Sequence, residues 1–293
     1  MKQRRAGYAA IMGAATLWGT LGIFFHFLVT VHGLTALEVA FFRAGFGAVL
    51  LAGILALWRP ALLRVRLRDL PFFVAFGLLG VAALFVVYTN AVRLTSIATA
   101  AVLLYTAPAW VTIIAWPAFG ERLTRVKLLA LGLVLAGCAM VSGAYNLANL
   151  RFQSAGIISG LASGLAYGLY TLLSKHAVRS YSPWTVMFYA LGIGALFLLP
   201  FQSLPRLVAA IRQPGTWVWL SGLAVGPTLG AYLLLGWSLQ RLPASVVSII
   251  ATMEPVVAAI LAWVILGQAL AVPQVIGGGA VIASVVLLRS SSS

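Results

Sequence analysis

The sequence predicts an all-α integral membrane protein of ten transmembrane helices, built as two inverted five-helix repeats with both termini cytoplasmic. Three observations carry that reading: long apolar runs, basic charge concentrated on one side, and an internal correspondence at a displacement of 147 residues.

The apolar runs come first. Of 293 residues, 62% are hydrophobic and 8% charged, with a mean hydropathy of +1.07; a soluble domain carries roughly a quarter charged residues. Uncharged runs cover 6–37, 44–58, 70–92, 94–120, 128–150, 152–174, 180–205, 213–240 and 242–288. A spanning helix needs about 20 apolar residues. The run 44–58 must therefore reach back through Arg43, and the last run, interrupted at Gly267 and Pro273, holds two spans. The helices expected are 6–31, 36–58, 70–92, 95–119, 126–145, 154–177, 183–201, 216–239, 243–266 and 271–288. A barrel would show short alternating segments instead. The opening MKQRRAGYAAIMG has the charge pattern of a secretory signal, but its apolar run is too long, and it reads as an uncleaved first helix. The lone Cys138 allows no disulfide framework.

Charge gives the orientation. With the N-terminus in the cytoplasm, fourteen basic residues lie inside (among them Arg59, Arg64, Arg66, Arg68, Arg122, Arg125 and Lys127) and four outside, Arg93, Arg151, Arg206 and Arg212. Arg43 falls within the bilayer. That bias obeys the positive-inside rule. It also assigns the net charge of +15 to an anionic leaflet rather than to nucleic acid.

The repeat is read from position. Pro108, Trp116, Gly120 and Gly132 correspond to Pro255, Trp263, Gly267 and Gly279, all displaced by 147. RLT at 93–95 matches RLP at 241–243, and WG at 18–19 matches YG at 167–168. The halves divide as 1–149 and 150–293. Five helices per half force opposite orientations. The basic turn GERLTRVK at 120–127 accordingly falls inside, and its uncharged counterpart GQALAVPQ at 267–274 outside. Inverted repeats are the architecture of secondary transporters, with the substrate near midplane between the halves.

Candidate site residues follow. Glu254 is the single carboxylate near midplane, where an ionised group costs about 2.5–3.5 kcal/mol. It is either a proton or substrate-ammonium site, or a protonated group joining two helices. Pro108 and Pro255 are hinges flanking a cavity, or kinks that neighbouring helices repair. Arg43 has a structural partner on another helix, or meets a substrate carboxylate. His26 reads as a packed interfacial histidine. Cavity candidates are Trp18, Tyr88, Asn90, Tyr105, Thr106, Tyr167, Tyr170 and Tyr232, since Tyr and Trp offer a stacking face with one polar handle. Gly156, Gly160, Gly164 and Gly168, like Gly222, Gly226 and Gly230, form stripes that let helices approach closely. No phosphate loop, HExxH, CxxC or Ser/His/Asp set occurs, so no enzyme chemistry, metal or cofactor is expected.

The pattern of Pro108, Trp116 and GERL at 120–123, repeated as EPVVAAILAWVILG at 254–267, resembles the EamA domain of the drug/metabolite transporter superfamily, present twice. FFRAG at 41–45 is also similar to that family, whereas Gln268 departs from the Glu expected after Gly267. The whole sequence resembles the YddG branch, exporters of aromatic and other neutral amino acids and of some toxic cations. The resemblance implies export across a bacterial inner membrane, through a cavity lined by the first, third, fourth, sixth, eighth and ninth helices. The expected function is therefore amino-acid export by alternating access, secondary-active or facilitative. A cationic-drug exporter is the alternative within transport, and a membrane scaffold or lipid-processing enzyme the alternative outside it.

Overall fold

The computed structural model describes residues 2–146, 150 and 153–290. Arg151 and residue 149, the sequence-based end of the first half, lie outside them. Among the described residues every regular element is helical, and nine helical segments are long and apolar enough to cross a membrane.

The first segment comprises α1 (Lys2–Gly19) and α2 (Leu21–Thr30). It bends at Thr20, whose hydroxyl donates back to the Leu17 carbonyl at 2.7 Å. α3 (Ala36–Trp58) begins at a capping box, in which Thr35 and Glu38 each accept from the other's backbone N–H. α4 (Leu70–Phe76), a π-helical turn at Gly77–Ala82 and α5 (Ala83–Leu94) make one continuous segment. α6 (Ile97–Leu104) and α7 (Ala107–Phe119) make the next, followed by α8 (Arg125–Val141). The second half runs α9 (Ser154–Ala177), α10 (Pro183–Leu198) and a short amphipathic α11 (Leu204–Arg212). It continues with α12 (Pro214–Leu223), a π-helical turn at Ala224–Gly230, and α13 (Ala231–Leu239). α14 (Ala244–Ala251), α15 (Met253–Leu266) and α16 (Val272–Ser290) close the chain. α8 has 17 residues and is about 25 Å long at 1.5 Å per residue.

Backbone irregularities recur at the same displacement as the sequence matches. The two π-turns start at Gly77 and Ala224. The helix breaks fall at Tyr105 (φ −73°, ψ 7°) and Thr252 (φ −70°, ψ 4°). α7 and α15 end on Gly120 and Gly267, left-handed at φ 68° and 67°, where a Cβ would be strained. The prolines sit just after the breaks: Pro108 is the second residue of α7 and Pro255 the third of α15. In a helix's first turn the missing N–H has no intrahelical partner to lose. What sequence suggested as a kink within one helix is a joint between two.

The halves are interleaved. α1 packs against α13, α14 and α15 of the second half, and α9 against α5, α6 and α7 of the first. The glycine stripe of α9 is explained by that exchange: Cβ atoms at Gly156, Gly160 and Gly164 would each come within 2.4 Å of Thr95, Leu103 or Thr106. The other stripe is incomplete, since Gly222 and Gly230 face Phe24 and Leu17, while Gly226 faces open space. A close and reciprocal backbone approach joins α8 to α16, where a Cβ on either Gly137 or Gly277 would lie 2.7 Å from the other's carbonyl oxygen. Gly277→Val should therefore lower the unfolding free energy by about 1–3 kcal/mol, the cost of overpacking a filled interface. Gly279→Ala, with nothing within 4 Å, should not lower the melting temperature in detergent, since Ala is the better helix former.

Candidate functional site

The chain carries four acidic side chains, and three of them are matched by cations. Glu38 accepts from Arg206 Nε at 2.6 Å and Nη2 at 3.1 Å, which holds the Arg206 guanidinium above its ordinary range. Asp69 pairs with Arg66 and Arg68 and accepts a hydrogen bond from the Tyr181 hydroxyl. Glu121 pairs with Lys127 at 3.4 Å. Glu254 differs, having no cation within 4 Å among the described residues; its partner is the Tyr167 hydroxyl, which donates to Oε2 at 3.2 Å. It occupies the first turn of α15, where the helix dipole favours a carboxylate.

Tyr167 belongs to an aromatic group at the centre of the bundle. Its ring meets Trp18 edge-on at 6.4 Å, Trp18 meets Tyr232 at 5.5 Å, and Tyr232 lies against Tyr170 at 4.8 Å. Beyond Tyr232 is Arg43, 6% exposed. Its Nε donates to Thr228 Oγ1 at 3.1 Å and its Nη2 to the Pro227 carbonyl at 3.3 Å, both in the second π-turn. A structural partner on another helix is thus present, and among the described residues no carboxylate lies within 4 Å. The guanidinium carbon is 5.9 Å from the Phe85 ring and 5.4 Å from the Tyr232 ring. Those two rings stand 147 residues apart, so equivalent positions of the two halves flank the same cation.

A cavity beside this group is lined by Trp18, Tyr105, Ala107, Pro108, Tyr167, Thr171, Leu235, Ser248, Ala251 and Thr252. Its volume is about 10 Å³, enough for a single water, whereas small-molecule sites measure roughly 300–1,000 Å³. The helices around it must separate before a metabolite can enter. Of the residues expected from sequence, Trp18, Tyr105, Tyr167 and Pro108 line the cavity, and Glu254, Tyr170, Tyr232 and Arg43 are joined to it through the ring contacts above. Pro255 opens α15 next to Glu254. Three others are elsewhere. Asn90 uses its amide on Ser159 at 2.8 Å and Arg93 at 3.0 Å, holding α5 to α9. Thr106 donates to the Leu103 carbonyl and faces Gly164. Tyr88 is not on the wall, but it lies close enough to Glu254 and Tyr105 to interact with both electrostatically. Sequence reasoning passed over Thr171, Ser248 and Thr252. The spacing of Ser245, Ser248 and Thr252 by three and four residues on an otherwise apolar segment was the available signal.

The two ends of this centre are unlike. All eight residues of α14 are buried, whereas its counterpart α6 buries Thr99 and Ala100. α14 packs on α1, α7, α8, α9, α13 and α16, while α6 packs chiefly on α5 and α9. Glu121 fastens the closed end. α14 starts after Pro243, whose side chain cannot cap it. The Glu121 carboxylate supplies the cap from the other half, accepting from the backbone N–H groups of Ala244 at 2.5 Å and Ser245 at 3.2 Å and from the Ser245 hydroxyl. Beside it, Lys175 Nζ donates to the carbonyls of Leu239 and Leu242 at 2.5 and 2.8 Å, where α13 ends. At the opposite end α6 is capped by its own Ser96, which accepts from Thr99 N at 3.1 Å, and Gln268 stands where Glu121 stands in the first half.

Known proteins bear the same pattern. The EamA-like transporter family matches twice, over residues 5–143 and 154–290. An uncharacterised transporter of Archaeoglobus fulgidus is 35% identical over 97% of this chain and 96% of its own length. The inner membrane transporter YicL of Salmonella typhimurium is 24% identical over 100% of this chain and 98% of its own. A probable terminal-alkyne amino-acid exporter of Streptantibioticus cattleyicolor is 26% identical over 99% and 95%. A crystal structure superposes with a TM-score of 0.79 over 99% of both chains at 18% identity, which shows a shared fold.

Glu121→Ala would leave two buried backbone donors and Lys127 without their acceptor, a loss of about 2–4 kcal/mol. A thiol reagent should then label Ser248→Cys far faster in that background than in the parent, since the native Cys138 is buried. Gln268→Ala should change neither stability nor labelling.

Proposed function

Because the chain belongs to the EamA-like transporter family, whose members move solutes across membranes and are not enzymes, we propose that it exports small metabolites, namely aromatic and other neutral amino acids, by alternating access. The single observation that carries this reading is Glu254, a carboxylate with no cation beside it, set at a helix start among Tyr167, Trp18 and Tyr232. A group that is expensive to leave unanswered in a membrane, placed against aromatic faces, suits the ammonium and the side chain of an amino acid. The resemblance to a probable amino-acid exporter points the same way.

In this reading α8 completes ten crossings, and the chain divides into inverted halves at 1–149 and 150–293. Both termini face the cytoplasm of a bacterial cell, in its inner membrane. The end of the centre held by Glu121 is then the cytoplasmic one. Release of Glu121 from α14, with closure of α6 on the outer side, admits substrate from within. A second reading, export of cationic drugs, is favoured by the same carboxylate and rings, since Tyr and Trp faces attract quaternary ammonium groups.

Uptake into proteoliposomes of labelled phenylalanine, threonine and a quaternary ammonium ion, with and without a pH gradient, separates the two. Saturable phenylalanine flux is expected, and Glu254→Gln should depress cation flux more than amino-acid flux. Flux of the cation alone would replace the amino-acid reading with the second one.

A further inference from the structure

We infer that Arg43 is the carboxylate anchor of the transported amino acid, so that the substrate lies across the aromatic group with its ammonium towards Glu254 and its carboxylate on the Arg43 guanidinium. This rests on the amino-acid reading above and assigns its polarity.

The argument begins with an unanswered charge. Arg43 is buried, and a guanidinium in a membrane interior requires compensation. What it has is partial. Thr228 Oγ1 and the Pro227 carbonyl accept from Nε and Nη2, and the faces of Phe85 and Tyr232 lie within 6 Å. These are dipoles and quadrupoles, and among the described residues no carboxylate lies within 4 Å; Glu254 acts on Arg43 only from across the rings. Nη1 hydrogen-bonds nothing among the described residues, so one side of the planar fork is left to an incoming acceptor. A carboxylate matches that fork, taking two parallel N–H···O bonds.

Location supports the same conclusion. Phe85 and Tyr232 occupy equivalent positions in the two halves and flank Arg43 together, which puts the guanidinium where the halves face each other. That is where a solute passing between them must lie. The position equivalent to Arg43 in the second half is Ala190, and the one equivalent to Glu254 in the first is Ala107. One cation and one anion therefore break the symmetry of an otherwise duplicated centre. They are more than 4 Å apart, joined by the chain of rings Tyr232, Trp18 and Tyr167. Had the pair served only to hold helices together, direct contact would have stabilised both charges better. Kept apart, they await a molecule that carries the two opposite charges itself. The hydrogen bonds from Thr228 and Pro227 then act to aim the fork.

The test compares phenylalanine with phenylalaninamide, which keeps the ring and ammonium and lacks the carboxylate. In proteoliposomes the wild-type protein should take up phenylalanine at least tenfold more efficiently, in the range of about 10- to 100-fold expected for a lost charge-assisted hydrogen bond. Arg43→Gln, shown by its melting temperature to be folded, should erase that preference by lowering phenylalanine uptake alone. A folded Arg43→Gln protein that retains the preference would overturn the assignment and leave amino-acid export standing. Wild-type protein that moves neither compound would overturn both. Should Arg43→Gln fail to fold, competition on the Glu254→Gln protein decides: 3-phenylpropionate should inhibit its phenylalanine uptake better than 2-phenylethylamine does, and the reverse order would rule Arg43 out as the anchor.

Discussion

Charge is hard to place in hydrocarbon, and the arrangement of this molecule turns on how each of its few charges is answered. Glu38 and Asp69 are satisfied by arginines and backbone at the rims. Glu121 is satisfied by a helix start. Glu254 and Arg43, in the middle, have no counter-ion within 4 Å among the described residues and are met by hydroxyls, a carbonyl, a helix start and aromatic faces. The difference separates structural charges from functional ones on energetic grounds: a fully met ion resists disturbance, while a half-met one gains by binding. Without the central pair, the bundle would be an apolar assembly whose helices had little reason to part.

A duplicated fold would by itself be indifferent to which end is closed. The chain resolves that through capping. α6 carries its own cap in Ser96 and keeps it whether or not the other half is near. α14 begins after a proline and depends on Glu121, four donors converging on one carboxylate when Lys127 is counted. One end is thus held by the partner half and the other stands alone. The replacement of Glu by Gln at position 268, a blemish in the motif when read as a string, removes a clamp that α6 does not need.

Much of the fold was legible because apolarity and small residues act locally. Runs without charge became helices with ends within a few residues of expectation, and the displacement seen in Pro108 and Pro255 reappeared in the π-turns, which no single residue announced. The glycine stripe on α9 was readable as close packing, but its partner was not, since α9 belongs to one half and lies in the other. The same interleaving hid the site. Arg43 meets Thr228 and Tyr232, nearly 190 residues away, and no periodicity reports such a meeting. Asn90 misled for a related reason: a polar group at middle depth needs partners, and sequence cannot distinguish a substrate from Ser159 and Arg93.

The contrast between α6 and α14 bears on how such a chain can change over time. If the two halves exchange roles during transport, each of these short helices spends part of the cycle sealed in protein and part facing an opening. A side chain suited to one condition alone is penalised in the other. Compact apolar residues with scattered hydroxyls tolerate both, as in IATAAVLL at 97–104 and ASVVSIIA at 244–251. Tolerance to substitution along these sixteen positions is therefore set by the less permissive of two surroundings, and drift there should be slower than burial in any one conformation would suggest.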